Sequence, residues 1–520
     1  MALEKEAYQA LESVIGPENI TQDPAILLGY TYISQMADPD AEFARITRFP
    51  PAAVLLPETT EEVVGIVKAC NKHRVKFKAF GTGWGPTAMP GQEGVIILDM
   101  RRMNRIIEID PKNMSATIES YVTAGQLEAE AEKVGLTSNI IGAGSSHSVL
   151  ASTTSMGGHG MKGTTTSQNN RLLLGAEWVL PTGELVKVGS MGSGAGNFTG
   201  DGPGPGLRGV LRGFLGACGG AGVFTKCTVK LAPWSGPAEP ERIGEHPQVG
   251  MKLPENFKLY IAHWKDWDSQ ADAMYKINEA EIGFVVWRQS MMELALTLTT
   301  TNNKIPKHLK HLFDNYQFQI EVFLGCHSMG ELEHQEKVLK DIVAETGGNF
   351  VPLDEEPFKD QIPVLNMAYV VNPYTPRVFR PTGDFTSSYF ATESWDMSIK
   401  GAKAGTAIVK KWQDKGLLVQ DGGEHFWGGP YERGRYTHFE GVGLFDGRDK
   451  ESRKAGGEYM MATIDDSLKK GIQVAAMGLE MNDILGPSFC DFQLWLKKFK
   501  RAIDPNDLSD ASFYVKSGNE

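Results

Sequence analysis

Two stretches in the second half of this 520-residue chain gather side chains that can move protons and hold anions. Residues 424–441, EHFWGGPYERGRYTHFEG, bring together His425, Tyr431, Arg433, Arg435, Tyr436 and His438 beside Trp427. Residues 377–396, RVFRPTGDFTSSYFATESWD, bring together Arg377, Arg380, Asp384, Tyr389 and Trp395. A histidine with an ordinary pKa of about 6.5 can take the proton of an alcohol. A guanidinium offers a planar fork of donors to a carboxylate or phosphate. The residues expected to carry chemistry are therefore His438 or His425 as base, Tyr436 as its assistant, and Arg380, Arg377 or Arg435 as an anion clamp. The competing reading is plainer: arginines paired with surface acids, and His438 a satisfied strand histidine.

Side chains of this kind act only against a fixed surface, and the first half of the chain supplies glycine-rich turns between strands. Residues 78–89 read KAFGTGWGPTAM, with Gly81, Gly83 and Gly85 at every second position. Glycine lets backbone approach a ligand closely and turn its N–H groups toward phosphate oxygens. Strand signals flank this turn at Ala53–Leu56, Val75–Ala79 and Val95–Leu98. Between 142 and 222 three more glycine-dense stretches follow: GAGSSHSVLASTTSMGGHGMKG, GSMGSGAGNFTGDGPGPGLRG and GACGGAG. A flexible linker would not keep returning to strands, as this segment does at Gly175–Leu180, Leu185–Val188 and Val223–Leu231. Recurrent glycine beside strands marks close backbone approach. Together the turns suggest a dinucleotide held largely by main chain.

The elements that position these turns are legible. Thr59 and Thr60 are N-cap candidates, with Glu61 and Glu62 in the first turn and an apolar face of Val63, Val64, Val67 and Cys70. Ile106–Ile109 and Ala116–Glu119 read as strands, and Thr123–Val134 as a helix. PWSGPAEP, residues 233–240, is the clearest boundary. Beyond it come longer helices and bulkier aromatics. Trp264, Trp267 and Trp287 read as core there, and the helix over 333–345 as scaffold. The tail, FQLWLKKFKRAIDPNDLSD, is an amphipathic helix stopped at Asp504–Pro505.

Composition narrows the class. The net charge of −12 and the absence of a long basic run argue against nucleic acid. Five scattered cysteines without a Cys-x-x-Cys pair argue against zinc, cysteine-ligated iron–sulfur clusters and a disulfide framework, and fit a reducing cytoplasm. The charged start MALEKEAYQALESVIG does not read as a signal peptide, and no apolar run reaches the ~18 residues of a membrane span. Gly-x-Gly-x-x-Gly in its strand–helix setting, a Walker loop, His-Glu-x-x-His and Gly-x-Ser-x-Gly are all missing.

Four stretches carry a more specific likeness. They are Thr82-Gly83 with VIILDMRRMNRIIEIDPKNMSATIESYVTAGQLEAE, NRLLLGAEWVLPTGELVKVG (170–189), GFLGACGGAGVFTKCTVKLAP (213–233) and the closing LKKFKRAIDPNDL (496–508). In order and spacing they resemble the flavin domain of the vanillyl-alcohol oxidase / p-cresol methylhydroxylase superfamily. The resemblance implies an α+β fold: a p-cresol methylhydroxylase-type FAD-binding domain of two subdomains, and an α+β cap domain over the flavin ring. The expected division is 1–235 for the FAD domain (core 50–235), 236–480 for the cap and 481–520 for a return to the FAD domain. It implies that Phe80, Gly81, Thr82, Gly83, Trp84 and Gly85 cradle the pyrophosphate turn. Ser155, Gly157, Gly158 and His159 would form a second wall, and Gly219, Gly220, Gly222 and Val223 the adenine and ribityl side. His147 is a flavin-anchor candidate by position, against the plainer reading of a loop histidine that caps a helix.

Departures from the resemblance matter. Phenol-oxidising members carry a Tyr in the first glycine turn and a Tyr-Arg pair before the final helices. This chain has GTGWGPTAMP and GIQVAAMGLEMND in those places. The expected reaction is therefore FAD-dependent oxidation of a hydroxyl-bearing carbon, in an alcohol or 2-hydroxy acid, by hydride transfer to flavin. The alternatives are an aryl-alcohol or alkylphenol oxidase or hydroxylase with a rebuilt pocket, and a redox-inactive FAD-binding subunit of a larger complex. Electrons must leave to oxygen or to a separate acceptor, such as an iron–sulfur subunit or an electron-transfer flavoprotein. The expected assembly is a homo-oligomer or a subunit of a complex.

Overall fold

The computed structural model describes residues 3–31, 49–83, 88–142, 144–189, 191, 206–211, 216–245, 248–373, 378, 380–391, 393–421, 426–472, 479–512 and 514–515, without the side chains of 388–391 and 479–481. His425, Arg377, Trp84 and Gly85, four of the expected site residues, lie outside the described residues.

The chain opens with α1 (Lys5–Ile15), whose Ala7, Leu11 and Ile15 recur at helical spacing and enter the core of the first sheet. That sheet holds β1 (Ile20–Thr21), β2 (Val54–Leu55), β3 (Lys76–Phe80) and β4 (Val95–Asp99) in the order β1-β2-β4-β3. β4 runs parallel to both β2 and β3, so β2 and β3 must be joined by a crossover. α2 (Thr60–His73) provides it. Thr59 Oγ1 accepts from the Glu62 N–H at 3.1 Å, as the cap reading requires. The buried face is Val63, Ile66, Val67 and Cys70. Ile66 replaces the expected Val64, which is half-buried, because three residues from 63 to 66 hold a helical face better than one.

The second sheet is antiparallel throughout. β5 (Ile106–Asp110), β6 (Ser115–Glu119), β8 (Leu173–Val179), β9 (Leu185–Val188) and β10 (Val223–Lys230) lie in the order β5-β6-β10-β8-β9. The short β7 (Leu136–Thr137) pairs with β11 (Ala232–Pro233). α3 (Ala124–Glu132) follows β6, and the one-and-a-half-turn α4 (Val149–Thr154) is capped by Ser148. Every named sheet is built from strands either all before or all after Trp234.

After β11 come the ribbon β12 (Glu241–Ile243) and β13 (Gly250–Lys252), then a four-stranded sheet ordered β15-β16-β14-β17. Its strands are β14 (Phe257–His263), β15 (Val285–Trp287), β16 (Gln319–Gly325) and β17 (Asn349–Phe350). The helices α5 (Trp267–Glu279) and α6 (Met329–Glu345) flank it. A three-stranded sheet, β18-β20-β19, is formed by β18 (Gly383–Ala391), β19 (Phe426–Tyr431) and the long β20 (Tyr436–Asp446). α7 (Trp395–Gln413) covers it. Trp264, Trp267 and Trp287 are buried core side chains, as read from the sequence.

The tail returns to the first sheet. It contains α8 (Leu479–Leu485) and the amphipathic α9 (Phe492–Ile503), which ends at Asp504. Beyond α9, Ser509 makes a parallel bridge to Phe77 of β3, with Phe77 N–H donating to Leu508 O at 2.9 Å and Asp510 N–H to Phe77 O at 2.9 Å. Lys500 is wholly buried and spends all three of its protons: on Asp504 at 2.5 Å, on Gly220 O at 2.7 Å and on Ser509 O at 2.9 Å. Removing one partner of a buried ion pair strands the other charge at a cost of ~3–5 kcal/mol. Lys500→Ala is therefore expected to lower the local opening free energy of the tail by about that amount. Hydrogen exchange at the Phe77 and Asp510 amides reads this directly, and unchanged protection there would refute it.

Candidate functional site

The first glycine turn leaves β3 at Phe80, whose ring meets Tyr30 edge-on at 5.0 Å. Thr82 Oγ1 accepts from the Ser148 N–H at 3.0 Å, and Ser148 Oγ donates to Ser120 O at 2.6 Å. Through these bonds the turn is fastened to the start of α4. Gly81 and Gly83 differ in what their surroundings demand. Gly83 has φ +76°, and a Cβ there would stand 2.5 Å from Phe80 Cζ. A Cβ on Gly81 would meet nothing closer than Ser148 Cβ at 3.4 Å. The protein itself makes no steric demand for glycine at 81; a ligand lying against the main chain would.

The second glycine segment is crowded. A Cβ on Gly157 would stand 2.9 Å from Gln168 Nε2, and one on Gly158 2.1 Å from Ile141 Cγ2. Ser155 ends α4 and accepts from the Cys218 N–H at 3.2 Å, which ties it to the third segment. There Gly219 lies against Lys78, Gly220 against Tyr514 and Gly222 against Val179 O, each within 2.8 Å of an added Cβ. Val223 starts β10 opposite Val179. For these three glycines the protein's own packing explains the residue type. Lys78 and Asp510, both buried, face each other at 3.4 Å behind this segment. Burial opposes ionisation of Asp510, but Lys78 and hydrogen bonds from Ser512, Gly91 and Gln92 outweigh it and lower its pKa.

Four buried polar atoms of residues 120–164 have no described partner: Ser120 Oγ, Asn139 Oδ1, His147 Nε2 and Thr164 Oγ1. His147 sits just before the Ser148 cap and holds Gly144 O at 2.6 Å through Nδ1. Burial pushes its pKa down to about 4 against that hydrogen bond, so it is neutral at pH 7. Unmatched buried polar atoms at Asn139 and His147, with the Gly81–Gly83 turn tied to Ser148, suit a polar, extended dinucleotide such as FAD.

The hairpin β19–β20 lies against the second glycine segment. Its turn donates from Glu432 N–H to Gly163 O at 3.1 Å and from Arg433 N–H to Thr164 O at 3.0 Å. Tyr431 Oη accepts from the Gly160 N–H at 2.9 Å. This docking stacks His438 on His159, with centroids 3.8 Å apart and planes at 18°. Tyr431 meets His159 edge-on at 5.7 Å, and Trp427 meets His438 at 5.2 Å. Trp427 also packs on Trp287 at 5.3 Å, and Tyr431 stacks on Tyr436 at 5.2 Å. The result is a buried imidazole pair in an aromatic box.

Burial, reinforced by repulsion from His438, drives the pKa of His159 well below the ordinary value. The low value keeps the His159 ring neutral at pH 7. His438 Nε2 lies 3.5 Å from Glu440 Oε2. Burial pushes Glu440 up to about 7, against hydrogen bonds from Ser387 and Trp427. Glu440 was missed in the sequence, although residues two apart on a strand share a face. Tyr436 is turned elsewhere: its hydroxyl is 3.1 Å from Ser167 Oγ, and Arg171 lies 3.9 Å over its ring. Arg435 is exposed on the hairpin turn and donates to Glu432 O at 3.2 Å. Arg380 donates through Nη1 to Leu296 O at 3.0 Å and Thr299 O at 2.7 Å, while its buried Nη2 has no described partner. Of the residues expected to carry chemistry, the structure thus brings together His438, with His159 and Glu440, and sets Arg435 apart on the exposed turn.

No described helix is long and apolar enough to cross a membrane, and the described residues hold no group of three or more His, Cys, Asp or Glu suited to a metal. Residues 51–189 match the FAD binding domain family. Glycolate oxidase subunit GlcD of Bacillus subtilis is 27% identical over 282 residues, 54% of this chain and 52% of that one. The 4-cresol dehydrogenase [hydroxylating] flavoprotein subunit of Pseudomonas putida is 34% identical over 125 residues, 23% of this chain and 22% of that one. The chain thus spans about half the length, or less, of these curated relatives. Among solved structures, substrate-bound p-cresol methylhydroxylase superposes with a TM-score of 0.78 at 21% identity, covering 99% of this chain and 97% of that one. That likeness fixes the fold, α+β with the order of sheets described above. Residues 51–189 are thus an FAD binding domain, carried in a chain whose fold is similar to that of p-cresol methylhydroxylase.

Proposed function

We propose that this chain oxidises a hydroxyl-bearing carbon, in an alcohol or a 2-hydroxy acid, to a carbonyl. The observation that carries this reading is the His159–His438 stack with Glu440 behind it, held against a glycine segment of the FAD domain. Such a stack has no structural need of two histidines; two apolar side chains would pack as well. As a proton store it is apt, since alcohol oxidation must deposit the hydroxyl proton on the protein. FAD, when bound, supplies the acceptor for the hydride. Phe80, Gly81, Thr82 and Gly83, with Ser155, Gly157, Gly158 and His159, would hold it, and at Gly81 the protein's own packing leaves glycine unexplained. Trp84 and Gly85, next in the sequence, are proposed to share that role. Gly219, Gly220, Gly222 and Val223 would support the groove from behind by fixing the tail.

Within the cap, His438 would take the proton and Glu440 would share it, while Tyr431 and Trp427 hold the ring edges and exclude water. His438 has no exposed surface, so it acts one layer beneath the substrate. His425 would be the base that touches substrate if His438 serves only as the store. The relative named glycolate oxidase supports a 2-hydroxy acid; the aromatic box of Trp287, Trp427, Tyr431 and Tyr436 supports an aryl alcohol. Bleaching of flavin absorbance by a panel of 2-hydroxy acids, aryl alcohols and alkylphenols separates the two. No bleaching by any of them would overturn the reading and favour a redox-inactive subunit.

An anionic substrate needs a cation, and Arg380 keeps a donor for one. Arg380→Met is expected to raise the half-saturating concentration of a 2-hydroxy acid by ~10-fold or more, the worth of a hydrogen bond to a charged group. It should leave a neutral alcohol unchanged. Equal effects on both substrates would assign Arg380 to packing against Leu296 and Thr299, and leave Arg377 as the clamp. The electron acceptor, oxygen or a separate redox protein, follows from the same experiment repeated with and without oxygen.

A further inference from the structure

One ring of the aromatic box around His438 reaches the surface. Trp287, Tyr431, His159 and His438 are buried, whereas Trp427 is only partly so. Its place follows from strand register. β19 pairs with β20 so that Trp427 stands opposite Glu440 and Gly429 opposite His438. Paired residues share a face, as do residues two apart on a strand. Trp427 therefore lies on the face of the hairpin that carries the acid and the imidazole. Three contacts fix its indole there. The ring N–H is hydrogen-bonded to Glu440. Its flank packs on Trp287 at 5.3 Å. Its far edge crosses to the FAD domain, where a Cβ on Gly142 would stand 2.6 Å from Trp427 Cη2.

Gly142 is itself only partly buried, so this contact lies at the seam between the FAD domain and the cap. The seam is tied beside it. Asn372 Nδ2 donates to Ile141 O at 3.1 Å, and Ser145 N–H to Asn372 O at 3.1 Å. The backbone next to Trp427 is held as well: Gly428 N–H donates to Arg288 O at 2.9 Å, and Arg288 N–H to Gly428 O at 2.7 Å. A ring fixed at both ends, on a strand paired on both sides, is a wall rather than a lid.

We infer that Trp427, closed against Gly142, sets the length of the substrate. It admits a compact alcohol or 2-hydroxy acid to the layer above His438 and excludes chains that run on past the hydroxyl-bearing carbon. This inference rests on the oxidation proposed above. The buried rings are packed on all sides and leave a longer chain no room. The partly exposed edge of Trp427 is where such a chain would emerge, and Gly142 brings main chain up to close it. A side chain at 142 would push the indole off its seat.

Flavin bleaching by straight-chain 2-hydroxy acids and primary alcohols of rising length tests the wall. The kcat/KM of each compound is divided by that of the shortest one bleached. The ratio cancels any loss common to all substrates, including that of the hydrogen bond to Glu440. In the wild type it should fall by ~10-fold or more for each methylene that meets the indole. Trp427→Leu should raise it for the long compounds by at least ~10-fold. Should that variant fail to fold, the milder Trp427→Phe should raise it too, because a phenyl ring stops short of Gly142. Adding Gly142→Ala to Trp427→Phe should lower it again, since the new methyl takes the place of the lost ring edge. A general loosening of the hairpin would not be reversed in that way. A wild type indifferent to chain length would overturn the wall and leave the oxidation in place. So would a ratio unchanged in both Trp427 variants, or a double variant no more selective than Trp427→Phe. Bleaching by no member of the panel would overturn both.

Discussion

Gly83→Val is expected to leave the purified protein colourless while the cap sheets remain folded. Two physical effects act together at this position. A β-branched residue at φ +76° is in the left-handed region, which costs an L-residue roughly 1–2 kcal/mol. Its Cβ would also meet Phe80 Cζ at 2.5 Å, well inside contact distance. Either the turn flips or Phe80 leaves Tyr30, and both displace the main chain between Gly81 and Thr82. Gly81→Ala separates this packing effect from a ligand effect. Its Cβ would rest at 3.4 Å from Ser148 Cβ, so the apoprotein should fold unchanged. If phosphate oxygens lie against that main chain, Gly81→Ala should still weaken FAD retention. Flavin absorbance of each purified variant, with near-ultraviolet dichroism for the tryptophan-rich cap, gives the result. Yellow protein from Gly83→Val would remove the phosphate role from this turn.

The contrast between Gly81 and Gly222 bears on how far the sequence can be read. Both are glycines beside strands, and the spacing treats them alike. Only the fold shows that Gly222 is required by Val179 O and Gly220 by Tyr514, because those neighbours arrive from elsewhere in the chain. Local signals behaved well where local physics decides. The Thr59 cap, the β3 turn, strands β4 to β6 and the helix stop at Asp504 follow from spacing and capping. The cap was less legible. Its longer helices are present, at Met329–Glu345, Trp395–Gln413 and Lys450–Lys470, but the seven strands from β14 to β20 that build two sheets there were not placed from the sequence. β16 reads QIEVFLG and is buried along almost its whole length, so it shows no alternation to mark it as a strand. His159 and His438 are 279 residues apart, and no periodicity relates them. Lys500 shows the same limit: a lysine on an amphipathic helix reads as solvated, and only the returning tail makes it an internal tie.

His438→Ala is expected to slow flavin bleaching by substrate by ~10²-fold or more, the usual contribution of a positioned proton acceptor. The effect should lie in the rate at saturation rather than in the half-saturating concentration, because His438 is buried beneath the substrate layer. Glu440→Gln distinguishes a proton role from mere packing, since it preserves shape and removes the charge. With Glu440 at about 7, the carboxylate that can share the proton forms only as pH rises through that value. The wild-type rate should therefore climb between pH 6 and 8, and the climb should vanish in Glu440→Gln. Stability should move the other way. The folded state raises this carboxyl above its ordinary 4.5, so its neutral form stabilises the fold below that value, and the benefit is lost as pH rises through about 7. Glutamine cannot ionise, so Glu440→Gln should be the more heat-resistant protein at pH 8 and no more so at pH 4.5. A flat pH–rate profile in the wild type, or an unchanged rate in His438→Ala, would take the proton away from the stack and pass the role of base to His425.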